Sequence, residues 1–142
     1  MNTKARSKSG LFLMELIIVI MFFSLSAAIC MQIFANAKVK ADYSRDVTNA
    51  AFVAESVAEI YKESNGNLES VAEKYKGTFE TNAILVIHFD KEWQVTDTDT
   101  DTDTAKYTMT LTESGEGNLS KILIEIDADD EEIFNIVAAA VS

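Results

Sequence analysis

Leu11–Ala35 reads LFLMELIIVIMFFSLSAAICMQIFA, and only Glu15, Ser24, Ser26 and Gln32 in it are not apolar. About 20 apolar residues cross a bilayer as α-helix, so this run is long enough to span one. The ten residues before it, MNTKARSKSG, carry Lys4, Arg6 and Lys8 and no acid. A basic flank stays in the cytoplasm, which predicts one span with the N-terminus cytoplasmic and the rest of the chain outside. Lys38 and Lys40 on the far side blunt that bias without reversing it.

Beyond the run, helix continues with a different period. Tyr43, Val47, Ala50, Ala54, Val57 and Tyr61 recur every three or four residues, one stripe of an amphipathic helix, with Asp42, Asp46, Glu55, Glu59 and Lys62 off it. No breaker appears before Ser64-Asn65-Gly66-Asn67. The spacing therefore predicts one helix from Leu11 to Glu63, on the order of 80 Å long. Residues 11–35 form its transmembrane half and 36–63 its amphipathic half. Asn67 then caps a short helix with Leu68, Val71, Ala72 and Tyr75 inward, and Gly77 ends it.

Strand signals fill the remainder. Ile84–Phe89 is apolar and rich in branched side chains, Tyr107–Thr112 alternates with threonines on one face, and Ile122, Ile124 and Ile126 alternate with polar neighbours. Glu113–Asn118 separates the second and third strands, and Ile133–Val141 follows the acidic turn Ala128–Glu131. The expected fold class is α+β: a long N-terminal helix packed on an antiparallel sheet of about four strands. Residues 64–142 form a small extracytoplasmic region that makes one domain with the helix.

Composition narrows the function. The chain has 142 residues and a net charge of −11. With Lys4, Arg6 and Lys8 set aside, 9 basic against 23 acidic residues leave −14 on residues 11–142. That charge disfavours a nucleic-acid partner unless Lys74, Lys76 and Lys121 converge in a local patch. A single cysteine, Cys30, excludes an intrachain disulfide, and a single histidine, His88, excludes any site that needs two. No phosphate loop, nucleophile elbow or metal-ligand spacing occurs, so neither an enzyme nor a cofactor is expected. His88 reads as a half-buried strand residue held by Asp90 or a backbone carbonyl, Cys30 as packing within the span, and Trp93 as packing or an exposed contact. Asp97, Asp99 and Asp101, in the Thr-Asp tract, have the alternate spacing of calcium ligands. Thr102 stands where an EF-hand loop needs glycine and Thr108 where it needs glutamate, so a solvated linker is the plainer reading.

Glu15 needs a reason, because an ionised carboxylate within a membrane costs several kcal/mol unless it is paired or near an interface. A cut after Gly10 would create an amino group on Leu11, and Glu15 of one chain could pair with that amine on a neighbour. The segment Ser9-Gly10-Leu11-Phe12-Leu13-Met14-Glu15 and the apolar run behind it resemble the class III signal of type IV pilins and pseudopilins. In that family a prepilin peptidase cuts after the glycine and methylates the new terminus, and glutamate at the fifth mature position sets subunit register. The resemblance implies cleavage and methylation at Gly10 and Leu11, and an assembly role for Glu15. It also implies other pilin or pseudopilin subunits as partners, with the lipid bilayer holding the chain before assembly. Leu11 and Phe12 replace the usual phenylalanine and threonine, and no proline or second cysteine is present, so the resemblance is to minor pilins or pseudopilins. The competing readings are a secretory signal cut at Ala35-Asn36-Ala37, a plain anchor bearing a binding or sensing domain, and a competence-type DNA-uptake pilin. The apolar run is longer than a signal-peptide core and contains Glu15, which counts against the first.

Overall fold

The computed structural model describes residues 3–96 and 105–141. Its elements are α1 (Thr3–Glu63), α2 (Leu68–Tyr75), β1 (Thr78–Thr81), β2 (Ile84–Phe89), β3 (Tyr107–Glu116), β4 (Leu119–Ala128) and β5 (Glu131–Val141). The chain divides into two compact units, the first ending at Tyr43 and the second beginning at Ser44, and α1 contributes to both.

α1 begins earlier than expected, at Thr3 rather than Leu11. The basic first ten residues have no breaker except Gly10, and one glycine costs a helix only about 1 kcal/mol relative to alanine. The other end falls at Glu63 as read, because Asn65 and Gly66 turn left-handed, at φ of 56° and 81°. The Gly66 N–H donates back to the Tyr61 carbonyl at 2.9 Å and closes the helix. A Cβ on Gly66 would lie 3.1 Å from the Ser120 Cβ, so both the turn and the packing favour glycine here.

The second unit is an α+β fold in which α1 and α2 cover one face of a five-stranded antiparallel meander, in the order β1-β2-β3-β4-β5. Alternation along the strands sends Leu85, Ile87 and Phe89, Tyr107, Met109 and Leu111, and Ile122, Ile124 and Ile126 to that face, all at or below 1% exposure. Opposite them α1 presents Ala50, Ala54, Val57, Ala58 and Tyr61, and α2 presents Leu68 and Val71. Small alanines against large sheet residues let the helix come close. Each fully buried isoleucine or leucine contributes roughly 1.5–3 kcal/mol.

The stripe read from Tyr43 packs only from its middle onward. Tyr43 is 55% exposed, Val47 is half-buried, and full burial starts at Ala50. The strand count also differs from the expected four, because Thr78–Thr81 pairs with β2 as an additional edge strand. All four of its residues are exposed, so no alternating apolar signal marks it. Glu113–Glu116, read as a connection, extends β3 and leaves Gly117-Asn118 as a two-residue hairpin with Gly117 at φ 69°. β5 starts at Glu131 because Asp129 and Asp130, at φ of 50° and 66°, complete a second two-residue hairpin.

Candidate functional site

The candidate site lies in the first unit, around Gly10, Leu11 and Glu15. All three are helical, and Glu15 follows Leu11 by four residues, about one turn or 6 Å along the axis. A Cβ on Gly10 would meet nothing within 4 Å, and its φ is not positive, so neither packing nor backbone geometry requires glycine there. Leu11 and Phe12 are each 68% exposed, and Leu16 through Phe34 present the same bare apolar surface. The helix has one stretch long and apolar enough to cross a membrane, and none of that stretch is buried within the fold.

Polar groups in this stretch divide into two kinds. The Ser24 hydroxyl donates to the Ile20 carbonyl at 2.7 Å and the Ser26 hydroxyl to the Phe22 carbonyl at 2.9 Å. Such back-bonding satisfies a hydroxyl inside an apolar medium without an external partner. Glu15 has no such recourse: among the described residues it makes no hydrogen bond or ion pair. Cys30 is exposed on the same helix.

The second unit holds two polar ties, neither singled out by the sequence reading. The Tyr61 hydroxyl donates to Glu113 Oε1 at 2.9 Å, joining the end of α1 to β3. Burial, and then the Glu113 carboxylate, push the Tyr61 pKa up to about 12. At the other end of the packed helix, Lys106 Nζ lies 3.4 Å from Asp46 Oδ2 and donates to the Tyr107 hydroxyl at 2.9 Å. The hydrogen bond to Tyr107 is the main cause that raises the Lys106 pKa, and the Asp46 charge adds to it. Tyr107 in turn stacks on Trp93, with ring centroids 4.0 Å apart and planes 17° from parallel. Trp93 is therefore a packing residue.

No family model, curated protein or solved structure matches this chain.

His88 is half-buried as expected, with a different partner: its Nδ1 lies 3.3 Å from Thr108 Oγ1 on the neighbouring strand. Asp90 is engaged elsewhere, its Oδ1 accepting from the Glu92 and Gln94 N–H groups, each at 2.9 Å. Asp97, Asp99 and Asp101 lie outside the described residues. Lys74 and Lys76 lie at the end of α2, on the core side of the sheet, whereas Lys121 precedes core-facing Ile122 and points to the opposite face. The three lysines are not brought together. An open cleft of about 430 Å³ beside the α1–α2 turn is lined by Asn67, Glu69, Phe79, Asn82 and Glu113 and carries no basic side chain.

Proposed function

We propose that this chain is a structural subunit, of the minor pilin or pseudopilin kind, of a type IV pilus or type II secretion-like filament. In this reading a prepilin peptidase cuts after Gly10, the helix holds the chain in the cytoplasmic membrane, and the same helix later packs among those of other subunits. The observation that carries it is the pairing of two unexplained residues on one bare helix. Gly10 answers no need of packing or backbone geometry, and Glu15, about one turn beyond it, has no partner among the described residues.

The energetics permit exchange of lipid for other helices. Moving an apolar helix from a bilayer into a bundle replaces one apolar environment by another, so the direction is set by packing and by polar pairing. A free Leu11 amine would give Glu15 a cation within reach on a neighbouring subunit. Leaving the carboxylate unpaired in that setting costs several kcal/mol, so it selects a register. The −14 on residues 11–142, together with the separation of Lys121 from Lys74 and Lys76, counts against direct DNA uptake.

The test is Glu15→Ala expressed in cells that assemble the filament. Membrane insertion should be unchanged while incorporation into sheared extracellular filaments drops. Normal incorporation of the variant would remove the role given to Glu15. A second reading, a membrane-anchored binding or sensing domain that never assembles, is favoured by one observation: the second unit closes its core without help from another chain. Recovery of the chain in sheared filaments argues against it.

A further inference from the structure

The two edges of the sheet are built differently. β1 is four residues long, carries Glu80 and has an irregular register between Phe79 and Thr81, all devices that discourage another strand from pairing with it. β5 carries Glu131 and Glu132 and a register shift at its first end, and after that Phe134–Val141 runs eight residues with no charge, glycine or proline. Val137 is 62% and Val141 71% exposed on the face away from the core, next to Leu119 at 37%. An uncharged edge of this length is a template for strand addition.

We propose that β5 pairs with β5 of a second copy, antiparallel about a two-fold axis at Val137. The strand is complementary to itself in that register. Phe134 lies opposite Ala140, Asn135 opposite Ala139 and Ile136 opposite Ala138, so a larger side chain meets a smaller one at each step. The acids are kept apart: Glu132 of the two copies stand ten residues from each other along the strand, roughly 33 Å, well beyond the screening length in physiological salt. A highly negative chain thereby meets itself where it carries no charge. A two-fold contact closes on itself, so it stands outside the head-to-tail repeat of a polar filament and does not depend on the filament reading.

Disulfide trapping of the full chain in detergent tests this. In a Cys30→Ser background, Val137→Cys places two thiols on directly opposed residues, about 4.5–5.5 Å apart at Cα and within disulfide reach. Mild oxidation should give a covalent dimer. Asn135→Cys alone should stay monomeric, because its mate is about 13 Å along the strand, yet it should cross-link when mixed with Ala139→Cys. Adding the exposed change Ala139→Lys to the Val137→Cys chain should lower the dimer yield by more than half. Equal dimer yields from Val137→Cys and Asn135→Cys, no dimer from either, or no response to Ala139→Lys would each overturn the pairing.

Discussion

α1 has two surroundings along a single helix. In the first unit its side chains from Leu11 to Ala35 are mostly apolar and bare; in the second its alanine-rich stripe is buried against a sheet from the same chain. Both halves carry an apolar surface, yet among the described residues only one is covered by the chain itself. Exposed isolated leucines are ordinary on a soluble protein, whereas more than twenty consecutive residues of bare apolar helix are not. The covered half makes a stable fold, and the bare half is the surface that we propose is covered first by lipid and then by the helices of other subunits.

That contrast can be broken most forcefully in the core. Ile124→Ala leaves a cavity in the core of the second unit, and large-to-small changes of this kind cost about 2–5 kcal/mol. The matched change Ile17→Ala, in the bare half, should leave the melting of the second unit unmoved. Thermal unfolding of the two variants in the same detergent checks both halves of the statement. Equal losses would mean that the helix is one energetic unit and the division is wrong.

A smaller effect sharpens the same division at the far end of α1. Tyr61→Phe leaves the half-buried Glu113 carboxylate without its donor, at a cost of roughly 1–3 kcal/mol. Its pH signature is more telling than its size. The Tyr61 pKa stands near 12 in the fold against 10.0 for a free phenol. Between those values the unfolded chain has lost the proton and the folded chain holds it, so stability is fully present below pH 10 and falls as pH rises toward 12. Urea unfolding across that range should show an alkaline limb in the parent that is shallower in Tyr61→Phe. Smallest is Asp46→Asn, which removes an ion pair with a 40% exposed lysine side chain and should cost under about 1 kcal/mol.

The parts of this fold that were legible in the sequence are those written in one dimension. The long apolar helix, its end at Ser64-Asn65-Gly66, the Asn67 cap and the alternation of Tyr107–Thr112 all follow from local pattern, and the structure repeats them. The Asn67 side chain accepts from the Glu69 N–H at 2.9 Å, as its cap position predicts. What stayed hidden depends on distant neighbours. β1 has no buried face and exists because β2 offers it an edge. The Tyr61–Glu113 bond spans 52 residues, and the Asp46–Lys106 pair 60, so no motif announces them. Tyr43 belongs to the helical period but lies short of the covered region, since period alone does not say where a sheet begins. For the candidate site, the sequence supplied Gly10, Leu11 and Glu15, and the structure added that, among the described residues, no side chain accounts for the glycine or pairs with the acid.

The bare half of α1 and its two unexplained residues converge on one observable, the mass of the N-terminus in protein purified from membranes of cells with an active prepilin peptidase. A processed filament subunit begins at N-methylated Leu11, and that is the expected result. An intact N-terminus would contradict it and leave α1 as a simple anchor, and a chain cut after Ala37 would contradict it and leave a secreted domain.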